Sequence, residues 1–339
     1  MRGRRWSKPC GMGSERALLV AAGGGLGDTL LAGVVARALR TRWAAVDAVV
    51  LPAHVELATR MPDVDRVVPW GVALPGRYAA AVVTWATLPT AVMPWLAGIP
   101  LRAGQARRLY SGLFTHRVVV RSELGDRTTH WTQILLDYAR ALDCDTSDAV
   151  PAFVPTVSDR DAAQTLLRVH DVRGPYAILH PTRGLSAQRA RWPVDGLVAL
   201  ARRLVARDGV PVLVSGAAAD APIAEAIAEG AGRGVLTIAG ATSIGVFGAL
   251  AERASAVVAM DSGPMHVAAA VGAPTVGIFA LQSDEPDRWA PLGARVAVVR
   301  PAYPCPPGER KETCPNFACV RELDPTRALA ALDGLLLPS

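Results

Sequence analysis

The stretch that most constrains this chain is residues 257–279. It opens with an apolar run, Val257-Val258-Ala259-Met260, which reads as a buried strand. Asp261-Ser262-Gly263-Pro264 then breaks the run. Pro264 suits the first position of a helix, Ala268 to Ala270 suit its body, and Gly272 and Pro274 end it. A second apolar run, Thr275 to Phe279, follows. Strand, helix and strand in this order imply a parallel pair with the helix on one face. The turn into the helix leaves backbone N–H groups free, a natural seat for a phosphate. Asp261, Ser262 and His266 lie at or near that turn, with Gly263, Pro264 and Met265 between them. The plainer reading of the same residues is a strand–helix turn in which Asp261 or Ser262 only caps.

The same alternation runs through the rest of the chain. Ala17 to Ala22 reads as a strand, Gly23 to Asp28 as the turn after it, and Thr29 to Arg40 as a helix with Leu30, Leu31, Val34, Val35 and Leu39 at helical spacing. Strands are expected at 46–51, 67–68 and 79–84, and helices at 54–60, 87–97 and 130–142. Residues 102–128 read as irregular and Arg-rich, and 143–158, around Pro151 and Pro155, as the linker. A second half repeats the pattern, with strands at 176–179, 211–214 and 235–238 and helices at 194–206, 220–229 and 243–254. Two such halves predict an α/β chain of two doubly wound domains facing a central cleft. The expected divisions are a tail at 1–14, a first domain at 15–150, a linker and lead-in helix at 151–172, a second domain at 173–324 and a final helix at 325–339.

Charge narrows the partners. The net charge is +6, and Arg2, Arg4, Arg5 and Lys8 supply four of the six, which leaves about +2 and no nucleic-acid footprint. The only lysines are Lys8 and Lys311, so cationic chemistry falls to arginine, whose forked guanidinium suits phosphate and carboxylate. The uncharged stretch Tyr78 to Leu101 is punctuated by Pro89, Pro94 and Pro100 and divides into strand, helix and strand. At most a peripheral membrane contact is expected. Cys10, Cys144, Cys305, Cys314 and Cys319 are odd in number and match neither a secreted disulfide framework nor paired zinc-type units, so a reducing cytoplasm and no metal are expected.

Three further turns carry candidate chemistry. Gly23 to Asp28 fits a dinucleotide loop poorly: with Gly23 and Gly25 as the first two glycines of G-x-G-x-x-G, the third position is Asp28, whose carboxylate would repel a pyrophosphate. The glycines, Gly25 and Gly27 among them, instead let another molecule approach the backbone, with Asp28 as a general base or as a cap. His180-Pro181-Thr182-Arg183, followed by Arg189 and Arg191, would offer a hydroxyl and charge to a diphosphate, or is a solvated basic loop. Asp220, in Ser215 to Asp220, would meet a nucleoside or simply cap its helix.

Taken together, Gly27-Asp28-Thr29-Leu30, His180-Pro181, Arg191-Trp192-Pro193 and Asp261-Ser262-Gly263-Pro264-Met265-His266, then Ala269-Ala270 and Pro274-Thr275, resemble glycosyltransferase family 9, the ADP-heptose:lipopolysaccharide heptosyltransferases. The resemblance covers roughly residues 16–330. It implies a GT-B fold of two Rossmann-like domains, with the acceptor mainly in the first and the sugar nucleotide mainly in the second. It implies an inverting transfer with no essential metal or cofactor, the nucleotide sugar being a substrate. Asp28 matches the general base. Thr182, Arg183, Arg189, Arg191, Asp220 and the 261–266 turn match the donor side, while Gly25, Gly27, Arg102, Arg107 and Arg108 would meet the acceptor. That acceptor is a lipopolysaccharide core or a small natural product such as an aminoglycoside intermediate. One departure stands out: Ala190 occupies the place where the family often has lysine. The competing functions are a sugar-nucleotide epimerase or hydrolase on the same fold, and a non-catalytic sugar-nucleotide-binding protein. Oligomeric state is left open.

Overall fold

The computed structural model describes residues 16–182, 192–280, 285–302, 314 and 317–336. Arg183, Arg189, Ala190, Arg191 and Cys305 lie outside the described residues.

In the first half, β1 (Arg16–Ala21), β2 (Ala45–Val50), β3 (Arg66–Pro69), β4 (Ala80–Val83), β5 (Leu101–Gln105) and β6 (His116–Val118) form a six-stranded sheet in the order β3-β2-β1-β4-β5-β6. Every pairing is parallel; Leu19 on β1 lies between Ala48 on β2 and Val82 on β4. A parallel sheet is covered on both faces, which is why β1 and β4 are nearly unbroken runs of buried Ala, Leu and Val. The helices of this half are α1 (Leu26–Leu31), α2 (Gly33–Arg40), α3 (Val55–Ala58), α4 (Leu88–Leu96) and α5 (Trp131–Arg140).

After α6 (Val157–Val169), the second half repeats the plan with β7 (Ala177–His180), β8 (Val212–Val214), β9 (Val235–Thr237), β10 (Ala256–Met260), β11 (Thr275–Ile278) and β12 (Val296–Val299). Their order, β12-β11-β10-β7-β8-β9, is that of the first sheet read from its other edge. The helices here are α7 (Val194–Asp208), α8 (Ala221–Ala231), α9 (Ile244–Arg253), α10 (Gly263–Ala270), α11 (Pro286–Trp289), α12 (Ala318–Arg321) and α13 (Pro325–Leu336). The α/β, doubly wound expectation is therefore met in both halves.

Two expectations need correction. The predicted helix Thr29–Arg40 is two helices: α1 starts earlier, at Leu26, and α2 restarts at Gly33. Glycine weakens helix continuity, and Met61 Cε lies where a side chain on Gly33 would begin, 3.4 Å from its would-be Cβ. The segment 102–128, read as irregular, contains most of β5 and all of β6, with 3₁₀ turns at Leu109–Leu113 and Arg121–Leu124. Both strands are short and carry arginine, so no apolar run announces them. The linker segment is packed in place. Phe153 is buried, Arg37 donates to the Val150 carbonyl at 2.8 Å, and the Val154 N–H donates to the Arg60 carbonyl at 2.8 Å.

The two halves meet along three seams. At the first, Arg60 grips Asp159 with two hydrogen bonds, Nε at 3.0 Å and Nη2 at 2.7 Å, and Glu56 accepts from the Gly245 N–H at the start of α9 at 3.0 Å. At the second, Trp131 packs on Trp289 with ring centroids 5.0 Å apart, and Arg127 pairs with Glu285 at 2.9 Å. The third, between α1 and α10, is the candidate site. One apolar cluster runs through all of this, from Leu19 and Leu57 in the first half to Phe247, Val257 and Met265 in the second.

Candidate active site at the two switch points

In each sheet the strand order reverses once, between β1 and β4 in the first and between β7 and β10 in the second. Connections from such neighbours leave on opposite faces, so a crevice opens at the carboxyl ends of the two strands. The sequence candidates sit at these ends. Gly23 to Asp28 follows β1, Trp85 follows β4, Pro181 and Thr182 follow β7, and Asp261 to His266 follow β10.

Asp28 lies in the first turn of α1 rather than before it. Its Oδ2 accepts the Gly25 N–H at 2.7 Å, so the carboxylate does cap the helix. Burial pushes its pKa above the usual carboxylate value, against the pull of the Gly25 N–H and of nearby His54. A carboxylate raised in this way is a stronger base. Capping and basicity thus reside in one group. His54, buried just after β2, receives or gives a hydrogen bond with Thr29 Oγ1 at 2.7 Å and is held below its ordinary pKa by burial.

The amino end of α10 is built differently. Ser262 does not cap it: its hydroxyl donates to the Met260 carbonyl at 2.9 Å. No acid stands in the first turn, and Pro264 occupies a first-turn position where it removes a donor that would go unused. The capping reading of Ser262 is therefore set aside, and the backbone donors of this turn are met by no side-chain cap. Met265 serves through its backbone alone. Its side chain is fully buried, with Sδ beneath Gly277, so only its backbone is available to a ligand. Asp261 is part-exposed at the mouth of the turn, and its N–H is bound to the Ile278 carbonyl at 3.0 Å.

These two helix ends meet. A Cβ on Gly263 would stand 3.2 Å from the Gly27 nitrogen and 3.0 Å from Leu26 Cδ2, and a Cβ on Gly27 would stand 3.1 Å from His266 Cδ2. Glycine at both positions is what permits this backbone approach. Two positive helix ends are thereby set side by side, one neutralised by Asp28 and the other open. An anion is the natural occupant of the open end.

His266 is buried against Gly27, and its Nδ1 has no hydrogen-bond partner among the described residues. Burial, followed by the nearby His130, lowers its pKa to about 4. His130 is a residue that sequence reading passed over. Its Nδ1 accepts from the Thr132 N–H at 3.2 Å, so its proton sits on Nε2, which donates to the Ala290 carbonyl of the other half at 2.9 Å. The signal that would have found His54 and His130 is their position directly before a helix, α3 and α5.

The β7 end holds a directed hydrogen-bond chain. Ser215 Oγ donates to His180 Nδ1 at 3.0 Å, His180 Nε2 donates to Thr182 Oγ1 at 3.2 Å, and Thr182 Oγ1 donates to Asp220 Oδ2 at 3.3 Å. The same Asp220 oxygen accepts the Ala217 N–H at 3.0 Å. Asp220 thus closes the 3₁₀ turn Ala218–Asp220 and makes no side-chain cap on α8, where the plainer reading expected one, and it also fixes Thr182. His180 is fully enclosed, and burial lowers its pKa to about 4.

Those two neutral imidazoles make stability depend on pH with a definite sign. Unfolded histidine titrates near 6.5, whereas His180 and His266 titrate at about 4 when folded. Between these values the unfolded chain binds more protons, so the stabilisation is complete above pH 6.5 and is lost as pH falls toward 4. Melting temperature is expected to fall over this window, and His266→Asn should flatten the fall. An unchanged slope would show that His266 is not held neutral.

The proposed acceptor arginines separate. Arg102 is near the amino end of β5, opposite the cleft, and its guanidinium is spent on the Leu113 carbonyl at 2.8 Å and on the Ile99 carbonyl. The structure places it off the site. Arg107 and Arg108 follow the carboxyl end of β5 and are exposed there. Arg108 pairs with Glu123 at 2.6 Å. Trp85, not singled out from sequence, packs directly over Gly23 and leaves that glycine no room for a side chain.

Comparisons with known proteins agree with this fold. The sequence profile of glycosyltransferase family 9 (heptosyltransferase) matches residues 73–318. Over 244 residues the chain is 28% identical to lipooligosaccharide heptosyltransferase 2 of Haemophilus influenzae, a match covering 68% of each protein. Its fold superposes on the Escherichia coli ADP-heptose lipopolysaccharide heptosyltransferase II with a TM-score of 0.76 at 23% identity, covering 95% of this chain and 98% of the other. It superposes on a family 9 glycosyltransferase of Veillonella parvula with a TM-score of 0.82 at 18% identity, covering 97% and 99%.

Proposed function

Because the chain belongs to glycosyltransferase family 9, the heptosyltransferases, we propose that it transfers a heptose from ADP-heptose to a hydroxyl of a lipopolysaccharide core. That it is a glycosyltransferase follows from the family; the donor and acceptor are the proposal. The observation that carries it is the meeting of α1 and α10, which sets the Asp28 carboxylate beside an uncapped helix amino end.

Asp28 takes the proton of the acceptor hydroxyl as that oxygen attacks the anomeric carbon. The bond from that carbon to the diphosphate oxygen breaks on the opposite face, so the configuration inverts. The leaving diphosphate gains negative charge, which the N–H groups at 262–265 stabilise, together with Arg183, Arg189 and Arg191 by their resemblance to the family. Asp261 at the mouth of the turn holds sugar hydroxyls, and His266 lines the diphosphate side. Thr182, fixed by Asp220, keeps an acceptor lone pair for the donor. Arg107 and Arg108, on the cleft edge of the first half, meet an anionic acceptor. Charge stabilisation by these groups needs no resident metal, so chelation by EDTA should leave the rate unchanged.

The relatives whose names carry ADP-heptose and lipopolysaccharide or lipooligosaccharide support this choice. ADP at about a hundred times its Kd should raise the melting temperature by roughly 4 °C, while UDP and GDP at equal concentration should not. Transfer from ADP-heptose to a heptose-deficient lipopolysaccharide core should follow. A thermal shift confined to UDP-sugars would sink the donor, and transfer only to an aminoglycoside-type acceptor would sink the acceptor.

A further inference from the structure

Helix α4 is unusual for a surface helix. Its sequence, Leu88-Pro89-Thr90-Ala91-Val92-Met93-Pro94-Trp95-Leu96, has no charge. Thr90, Ala91 and Pro94 face inward and are buried. Leu88, Val92, Trp95 and Leu96, spaced i, i+4, i+7 and i+8, share one side of a helix, and this side faces outward. Leu88 is 57% exposed, Trp95 51% and Leu96 71%. The 3₁₀ turn Leu109–Leu113 packs against α4, and its Leu109 is wholly exposed. Trp85, just before α4, is 41% exposed. A helix apolar on both sides is ordinarily buried on both. Here the inner side meets the core of the first domain and the outer side is left open among the described residues.

The charge along this stretch of the sequence is one-sided, and the first acid beyond it, Glu123, pairs with Arg108. From Arg66 to Ser122 there is no Asp or Glu, while the same 57 residues hold seven arginines. Of these, Arg77, Arg107, Arg108 and Arg117 are exposed, and Arg107 and Arg108 immediately precede Leu109. Tryptophan and leucine flanked by arginine, on a stretch of 57 residues without acid, match an interface that is apolar within and anionic at its surface. A protein partner of ordinary mixed charge would not call for the exclusion of every acid over so long a stretch.

We propose that the outer face of α4 and the Leu109 turn is a docking surface for an anionic lipid bilayer. Trp95, Leu96, Leu88 and Leu109 enter the interfacial layer, and Arg107 and its neighbours meet lipid phosphates. No helix of the described residues is long and apolar enough to cross a membrane, so the contact is peripheral. Because Trp85 covers Gly23, the docked face borders the turn that carries Asp28. The lipid surface and the candidate site thus share a rim. The inference stands apart from the choice of donor and acceptor, since binding is read without either.

The test is co-sedimentation of the full chain with vesicles of phosphatidylcholine alone or of phosphatidylcholine with phosphatidylglycerol, at low and high salt. Binding is expected on the anionic vesicles and should weaken with salt. Trp95→Ser with Leu96→Ser should lower partitioning by about fivefold or more. Arg107→Glu should weaken binding to anionic vesicles only. All these side chains are exposed, so the melting temperatures should not move. The proposal is overturned if the wild-type chain leaves anionic vesicles unbound, or if the double variant binds as well as wild type. It is equally overturned if sedimentation velocity shows a dimer that the double variant splits while vesicles are not bound, because the face would then join two copies.

Discussion

Replacing Asp28 by Asn is expected to slow sugar transfer by about 10²–10⁴-fold. Asparagine has the same shape, and its carbonyl oxygen can still accept the Gly25 N–H, so α1 keeps its cap. The loss should fall on kcat, with the donor KM little changed, because the donor is assigned to the α10 side. The pH profile adds an independent reading. A base works only when ionised, so the wild-type rate should drop as pH falls through the raised pKa of Asp28. The Asn variant should lack that limb in its residual activity. Full activity in Asp28→Asn would remove Asp28 from the chemistry and leave it as a helix cap.

The largest loss of stability is expected from Trp192→Ala, about 3–5 kcal/mol. Trp192 is 1% exposed and packs into the core of the second domain. Its indole lies over Gly196 in the first turn of α7, where a Cβ would stand 2.5 Å from Nε1. Sequence placed Trp192 within a motif of the donor side. Its side chain instead anchors the entry to α7 in the domain core. Chemical denaturation should show the loss as a lower midpoint, and Trp192→Phe should recover part of it. A loss below about 1 kcal/mol would mean that the cavity collapses and that the ring is no anchor.

How much was legible beforehand can be judged residue by residue. Buried parallel strands announce themselves, because burial on both faces demands unbroken apolar runs such as Leu18-Leu19-Val20 and Val257-Val258-Ala259. Strands β5 and β6 did not, because Arg102, Gly104 and Arg117 interrupt them and only their neighbours supply the sheet. The turns at Asp28 and at 261–266 were found because glycine and proline punctuate the ends of strands. Their meeting across the cleft was not, since no local pattern encodes Gly27 against Gly263. The same limit applied to His130, whose partner Ala290 is 160 residues away. Arg102 was misplaced for a simpler reason. Charge is visible in a sequence, but which end of a strand it occupies depends on where the strand begins, and that boundary was missed.

The apolar cluster that passes from Leu19 and Leu57 to Phe247, Val257 and Met265 bears on cooperativity. Two domains joined by a polar hinge can melt one at a time. Here each half supplies part of the wall that keeps the other dry, through Phe153 against Gly248 and Leu26 against Gly263. The free energies of the two lobes are therefore coupled: neither inherits its full stability from its own sheet, and a chain cut between them would expose an apolar face on both.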